Sequence, residues 1–205
     1  MTWKLDSVVE LHKEAPYTFY LPSDQVIEKL TVGDLVKLIF MSIEELESEY
    51  NGERMWVEII SRNGSDFVGK LANQPHYLNS LQYGDLIDFN AIHICATKLD
   101  DPWSADMDYY FDNKVVVSND VLSRNEFNFL LRFNPNNEDD LGWVFFSGHE
   151  EEDANNTQVI SVGVMLNIDD SILAFINDPA PCAYERDKIT SKLLKIEDYD
   201  FSIHG

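Results

Sequence analysis

Short apolar runs bounded by Gly, Asn, Asp and Pro recur through the first half of the chain, and such runs between turn residues are typical of β-strands. Between two of the runs stands Asn63-Gly64, a pair that favours the tight turn of a hairpin. Two other segments have the capping residues and apolar spacing of short helices. The predicted strands are residues 35–40, 55–60, 67–71 and 86–94, and the predicted helices are residues 23–30 and 43–50.

The triplet Gly-Asp-Leu occurs twice, each time at the start of a predicted strand. Gly33 and Gly84 can adopt turn conformations with positive φ, and the Asp34 and Asp85 side chains can accept hydrogen bonds from backbone N–H groups of the turn. Short strands joined by tight turns favour a strongly bent sheet or a partly open barrel. Trp56, within a predicted strand, is interpreted as a core residue rather than a platform for a ligand.

The second half of the chain combines apolar strands with one short helix that Ser171 can cap. Residues 143–146 are apolar at every position, which predicts a strand buried on both faces. The predicted strands are residues 114–118, 127–133, 143–146, 159–166 and 199–203, and the predicted helix is residues 172–176. These elements predict a C-terminal antiparallel sheet with short helices.

Residues 99–113 interrupt the strand pattern, because they are acidic, aromatic and aperiodic. They are interpreted as a linker that packs on one or both halves through its aromatic side chains. The predicted fold class is therefore α+β, with two small β-rich units joined by this acidic aromatic linker. The predicted domains are residues 1–98 and residues 114–205, with the linker at residues 99–113.

The segment from residue 141 to residue 154 is the most informative in the chain, because an aromatic strand runs through a glycine turn into four acids. Trp143 is interpreted as a core residue, and Gly148 permits a sharp turn with positive φ. Four adjacent carboxylates cannot all be buried, so they face water or a basic partner. These acids are Glu150, Glu151, Glu152 and Asp153.

The formal net charge of −22 restricts the possible partners. Residues 99–205 contain 22 Asp and Glu against 7 Lys and Arg, so this half has a net charge of −15. A surface of this sign repels nucleic acid and acidic membranes and attracts basic proteins. Solubility alone is the open alternative. The N-terminal residues lack the pattern of a secretory signal, and no apolar stretch is long enough to cross a bilayer, so a cytoplasmic location is expected.

Candidate chemistry is sparse. The chain contains no phosphate-binding loop, dinucleotide-binding glycine motif, zinc-protease motif or serine-hydrolase motif. His149 beside the four acids could bind a cation, but a solvated acidic loop is the preferred interpretation. Cys182 could act as a nucleophile if His149 or His93 lay beside it. The preferred interpretation places Cys182 in the core and pairs Glu185 with Arg186 at the surface, so no catalytic residue, metal or cofactor is predicted.

Two sets of motif residues point to known bacterial families. Residues 114–187 resemble the immunity protein 33-like family, and residues 17–96 resemble domain of unknown function 2314. The first resemblance rests mainly on Ser118, Gly142, Trp143, Phe145, Gly148, Glu150, Asn167, Asp170, Pro179 and Glu185. The second rests mainly on Gly33, Asp34, Trp56, Gly69, Asn73, Pro75, Gly84 and Asp85.

The resemblances imply a bacterial immunity or antitoxin-like protein that neutralises a basic effector by direct binding, and they imply no catalytic residues. Two alternatives stay open: a cytosolic adaptor without a toxin partner, and an enzyme that uses Cys182 or the His149 acidic loop. The expected partner-binding residues are Glu150, Glu151, Glu152, Asp153 and Glu185. The expected structural motif residues are Gly33, Asp34, Trp56, Gly84, Asp85, Gly142, Trp143 and Gly148.

Overall fold

The computed structural model describes residues 2–43, 51–150 and 156–204. The chain divides into two compact units, Met1–Ala105 and Asp106–Gly205. Each unit contains one six-stranded sheet with short helices beside it, so the predicted α+β fold class is confirmed. No helix in the described ranges is long and apolar enough to span a membrane.

The first unit is built on an antiparallel sheet in the order β1-β2-β3-β4-β5, with β6 also paired to β2. Its strands are β1 (Trp3–Leu5), β2 (Leu35–Ser42), β3 (Gly52–Asn63), β4 (Asp66–Leu71), β5 (Leu86–Asn90) and β6 (Ile94–Thr97), and its helices are α1 (Val8–Glu14) and α2 (Asp24–Lys29). Register shifts in the β2–β6 and β3–β4 pairs coil the sheet around its own core. The predicted bent sheet or partly open barrel is confirmed.

Local hydrogen bonds explain where the first unit follows the predicted elements and where it departs from them. The Ser23 hydroxyl accepts a hydrogen bond from the Val26 backbone N–H at 3.3 Å and caps α2, as predicted. The predicted strand 86–94 is interrupted by a 3-10 turn, Ala91–His93, because the Asn90 and His93 side chains cap it reciprocally. The predicted helix 43–50 falls almost wholly on residues 44–50, which lie outside the described residues.

The second unit has a sheet in the order β10-β7-β9-β8-β11-β12. Its strands are β7 (Lys114–Ser118), β8 (Phe129–Arg132), β9 (Asp140–Phe146), β10 (Thr157–Ser161), β11 (Cys182–Arg186) and β12 (Leu193–Lys195). Its helices are α4 (Asn119–Arg124) and α5 (Val162–Ile168), and they follow helix α3 (Ser104–Asp112) in the chain. The predicted antiparallel sheet with short helices is confirmed, with one parallel pair, β7 and β9. Strand β8 runs opposite to β7. Strand β9 lies between them and is antiparallel to β8, so it is parallel to β7.

Three predicted elements of the second half are wrong in extent or type. The strand predicted at 159–166 ends at Ser161 and continues as helix α5, since a mostly apolar segment of this length fits either structure. The helix predicted at 172–176 is a 3-10 helix, Asp170–Ala174, capped by Asp169 instead of Ser171. The tail predicted as a strand contains a 3-10 helix, Phe201–His204, with the Phe201 ring packed on Phe133.

The predicted linker, residues 99–113, contains helix α3 (Ser104–Asp112), which the sequence pattern did not predict. The helix has no fully buried residue, and its hydrophobic residues do not form a continuous face, which is why the period of a helix was not visible. The boundary between the two compact units falls inside this helix, after Ala105.

Candidate functional site

Three strands of the second unit have their C-terminal ends on the same side of the sheet. Strands β7 and β9 are parallel, and β11 has the same direction because both β9 and β11 are antiparallel to β8. The residues that follow these strands are therefore brought together although they are distant in sequence. We call Ser118, Asp120, Ser147 and Glu150 the strand-end site.

The Glu150 carboxylate is held by three hydrogen bonds from its surroundings. The Ser118 hydroxyl and the Ser147 backbone N–H each donate to Oε1 at 2.6 Å, and the Gly148 N–H donates to Oε2 at 3.0 Å. Burial raises the pKa of Glu150, but the hydrogen bonds outweigh it, so the pKa lies below its ordinary value. Glu150 thus fixes the turn after β9 to the end of β7.

A second carboxylate, Asp120, lies beside the first. The buried Ser147 hydroxyl donates to Asp120 Oδ2 at 2.6 Å, and Arg124 Nε donates to the same oxygen at 2.6 Å. The Ser147 hydrogen bond, with the Arg124 charge, holds the pKa of Asp120 below its ordinary value. The Ser147 hydroxyl also accepts from the His149 N–H at 2.9 Å, so this one side chain connects Asp120 to the glycine turn.

An open polar pocket of about 370 Å³ lies over the strand-end site. Its lining includes Ser118, Asn119, Asp120, Arg124, His149 and Glu150. Because both carboxylates have lowered pKa values, they are ionised at neutral pH and give this pocket a negative field. Arg124 offsets the charge of Asp120, so Glu150 is the source of the remaining negative charge in the lining.

A further hydrogen-bond network supports the same strand ends. The Asn128 side-chain amide donates to the Ser147 carbonyl at 2.8 Å, and its oxygen accepts from Arg186 Nε at 3.0 Å. Arg186 Nη2 donates to Asp169 Oδ2 at 2.6 Å. Asn128, Arg186 and Asp169 were not identified as a group from the sequence, because 58 and 17 residues separate the bonded pairs and no local motif marks them.

The predicted partner-binding acids have different surroundings in the structure. Glu150 bonds within its own unit, whereas Glu185 is exposed on β11. Arg186 pairs with Asp169 and not with its neighbour Glu185, which corrects the predicted surface pair. Three of the predicted residues lie outside the described residues: Glu151, Glu152 and Asp153.

The structure also bears on the two alternative chemistries, a cation site at His149 and a nucleophilic Cys182. In the described residues, no group of three or more His, Cys, Asp or Glu side chains is arranged to hold a metal ion. His149 Nε2 lies 3.9 Å from a Glu126 carboxylate oxygen, and both side chains are about half exposed. Cys182 is only 3% exposed, and burial raises the pKa of its thiol. A buried thiol with a raised pKa is a weak nucleophile at neutral pH.

The two Gly-Asp turns of the first unit have the same geometry. Gly33 and Gly84 have φ values of +95° and +89°. The carboxylate of Asp34 accepts a hydrogen bond from the Thr31 N–H at 2.7 Å. In the same way, Asp85 accepts from the Gln82 N–H at 2.9 Å. These motif residues therefore form the turns that begin β2 and β5.

Trp56 faces outward from β3 and is half-buried, so its interpretation as a core residue is wrong. Its neighbours Met55 and Val57 point into the core and are at most 2% exposed. The Nζ atoms of Lys37 and Lys98 lie 4.6 and 4.3 Å from the centroid of the Trp56 ring. The aromatic ring thus stabilises two ammonium groups on the outer face by cation–π contact.

The motif residues of the second unit have distinct structural roles. Trp143 is fully buried, and its Nε1–H donates to the Ile176 carbonyl at 2.9 Å. Gly142 and Gly148 have φ values of +74° and +81°. A side chain at Gly142 would collide with the Phe133 carbonyl, whereas the surroundings of Gly148 are open.

The comparisons with known proteins agree with the two halves of the fold. Residues 115–197 match the family model described as Immunity protein Imm33 domain. Residues 17–100 match the model described as an uncharacterized protein conserved in bacteria, DUF2314. Both resemblances are confirmed, in the predicted order. No curated protein and no solved structure matches the chain.

The strand-end site lies entirely within the Imm33 region, residues 115–197. The Imm33 region also contains the supporting residues Asn128, Asp169 and Arg186. The outward-facing Trp56 and both Gly-Asp turns belong to the DUF2314 region, residues 17–100. The two family regions thus have separate candidate surfaces, and the acidic pocket is in the region with an immunity-protein description.

Replacing Glu150 with glutamine is expected to lower the free energy of unfolding by about 1–3 kcal/mol at neutral pH, because the carboxylate accepts three hydrogen bonds. The pKa of Glu150 in the folded protein lies below its ordinary value of 4.5. The carboxylate therefore contributes stability above that pH, and the contribution is lost as the pH falls through the lowered pKa. Denaturant unfolding at several pH values measures the difference.

The matched control is Glu138→Gln, which removes an exposed carboxylate from the loop before β9. It is expected to change stability by less than about 0.5 kcal/mol at neutral pH. A Glu150→Gln difference that stays the same from neutral to acidic pH would contradict the role of the ionised carboxylate.

Proposed function

We propose that this chain is a bacterial immunity or antitoxin-like protein that neutralises a basic effector protein by direct binding through its Imm33 region. The observation that carries the proposal is the match of residues 115–197 to an immunity-protein domain. The DUF2314 region has no described function of its own in the comparison.

The charge of the chain supports a basic effector. Residues 99–205 have a net charge of −15, so a basic protein is attracted to this half and an acidic one is repelled. Ionised Asp120 and Glu150 add to this field, although their oxygens already bond within the protein. Glu126 and Glu185 are exposed carboxylates near the ends of these strands, and they can form direct ion pairs with the effector.

The polar pocket is the surface that we assign to the proposed contact with the effector. It lies where β7 and β9 end, on a part of the unit that the Glu150 and Asn128 hydrogen bonds support. A preorganised surface of this kind loses little conformational entropy when a partner binds. A Lys or Arg side chain of the effector would enter beside Glu150, because the charge of Asp120 is already paired with Arg124.

The proposal is tested by a growth assay. Proteins crosslinked to the chain in its native cell are identified, and each basic candidate is expressed alone and together with the chain. We expect one candidate to stop growth alone and to be harmless in the presence of the chain, with a direct complex of the two purified proteins. Binding without any toxic candidate would favour the adaptor alternative. Rescue that requires the Cys182 thiol, measured with Cys182→Ala, would favour the enzyme.

Neutralising the acidic loop is expected to slow association with the effector. The variant changes Glu151, Glu152 and Asp153 to Gln, Gln and Asn and keeps Glu150, because Glu150 holds the turn after β9. Charge attraction acts mainly on the association rate and weakens as salt approaches about 0.15 M, where the Debye length is about 8 Å. We expect a lower rate and a flatter salt dependence, measured by binding kinetics across a salt series.

The control variant removes the same number of negative charges elsewhere, by changing Glu14, Glu28 and Glu138 to glutamine. If the loop attracts the effector locally, the control variant associates faster than the loop variant at low salt. Equal association rates for wild type and the loop variant at every salt concentration would show that these acids serve solubility alone.

A further inference from the structure

Strand β10 is an edge strand of the second unit. It pairs with β7 on one side, and no strand in the described part of the chain pairs with its other side. Its residues Thr157, Gln158 and Val159 are exposed, and Val159 is 70% exposed. An open strand edge presents unpaired backbone groups to which another chain can bind.

The register shows which backbone groups of β10 face β7 and which face away from it. The Asn119 N–H donates to the Asn156 carbonyl, and the Val162 N–H donates to the Asn113 carbonyl. Hydrogen-bonded pairs alternate along an antiparallel ladder, so Gln158 and Ile160 also direct their backbone groups toward β7.

The residues between these positions, Thr157 and Val159, therefore direct their N–H and C=O groups to the open side. The two residues provide two donors and two acceptors in the spacing of a β-ladder. This is the pattern that an added strand would use for pairing.

Strand β10 is less protected than the other strands that pair on one side only. Strands β1, β5 and β12 each have an exposed charged side chain, namely Lys4, Asp88 and Lys195. Strand β6 is also uncharged, but none of its residues is exposed. Strand β10 has the sequence Thr-Gln-Val-Ile-Ser, with no charge and no proline. Charged residues and prolines on edge strands prevent pairing with other chains, so β10 lacks a common form of protection.

We propose that β10 accepts an extended segment of a basic partner protein, which adds to the sheet as a further strand. The partner is the effector if the proposed function is correct, and in that respect the proposal rests on the proposed function. Main-chain hydrogen bonds at Thr157 and Val159 hold the added strand. The negative charge of the chain supplies the preference for a basic segment.

Charge favours a basic segment over a second copy of the chain as the partner of β10. Glu150 is bonded to Ser118, and Ser118 is the residue of β7 opposite Thr157, so an ionised carboxylate lies near one end of β10. A second copy of the chain would also have a net charge of −22 and would be repelled. A segment with Lys or Arg side chains is attracted to the same place.

The test uses a synthetic probe peptide of about ten residues in which Lys and Val alternate, since such a peptide is basic and has a strong preference for strands. Two control peptides have the same length: one in which Glu and Val alternate, and one Lys–Val peptide with N-methyl groups along one edge. We expect the Lys–Val peptide alone to slow amide hydrogen exchange at Thr157 and Val159 of the wild-type chain.

Val159→Pro is the decisive variant, because it removes an N–H that faces away from β7 and leaves the β7–β10 ladder bonds in place. We expect it to weaken peptide binding by about tenfold or more, from the lost hydrogen bond and the clash of the ring with the added strand. Val159→Ala keeps the N–H and is expected to weaken binding less than about threefold. Thermal unfolding checks that each variant is folded.

Several results would overturn the proposal. These are unchanged exchange at Thr157 and Val159, equal binding of the acidic or N-methylated peptide, or equal binding by folded Val159→Pro. A wild-type dimer that Val159→Pro dissociates would assign the edge to a second copy instead. The growth assay is independent of the peptide: its failure removes the toxin and leaves the strand site, and failure of the peptide test removes the strand site and leaves the immunity function.

Discussion

Replacing Trp143 by alanine is expected to lower the free energy of unfolding of the second unit by about 3–5 kcal/mol. Trp143 has no exposed surface, and its ring packs against Phe175 and Tyr184 with centroids 5.9 and 6.0 Å away. The variant also loses the hydrogen bond to the Ile176 carbonyl and leaves a large cavity. Denaturant unfolding followed by near-ultraviolet circular dichroism measures the loss.

The matched control for Trp143 is Trp103→Ala, which removes a tryptophan that is 59% exposed. It is expected to cost less than about 1 kcal/mol, because little contact surface is lost. A folded Trp143→Ala variant with normal stability but no binding to the partner would contradict the core role and assign Trp143 to the binding surface.

Replacing Gly142 by alanine is expected to have an effect of similar size for a different reason. Gly142 has a φ of +74°, which costs an alanine about 1–2 kcal/mol. Its added Cβ would also lie 2.1 Å from the Phe133 carbonyl oxygen, in the turn between β8 and β9. Since that carbonyl belongs to the backbone, the strands must move apart, and we expect a total loss above about 4 kcal/mol. Thermal unfolding measures it.

Gly148→Ala separates the two contributions to the Gly142 effect. Gly148 has a φ of +81°, but its nearest contact for an added Cβ is 3.7 Å away, at Asn128. It should therefore cost only the backbone term of about 1–2 kcal/mol. Equal losses for the two variants would show that the collision at Phe133 is relieved at no cost.

The local elements of this fold were predictable where a short-range signal controls them. The Asn63-Gly64 hairpin and the Ser23 cap depend on a few neighbouring residues, and both are present. Helix α5 was mistaken for part of a strand, because it is mostly apolar like the strand before it and only the surrounding packing selects the helix. The position of β9 between β7 and β8 is likewise a property of the assembled sheet.

The candidate site shows the same division. The sequence identified Gly148 and Glu150 as a turn followed by acids, but it treated Glu150 as a free surface charge. The three groups that donate hydrogen bonds to the Glu150 carboxylate belong to the turn itself and to Ser118, which is 32 residues away. Such a contact exists only because two parallel strands end side by side, and no pattern in a single sequence reports it.

The sequence by itself determined the acidic charge, the two family regions and the turn residues, because charge counts and local backbone preferences do not depend on the fold. The tertiary structure alone decided that Trp56 faces outward beneath two lysines and that β10 has an open edge. It also decided that Arg186 pairs with Asp169 instead of Glu185. Strand order and register set these outcomes, and both depend on packing between residues that are far apart in the chain.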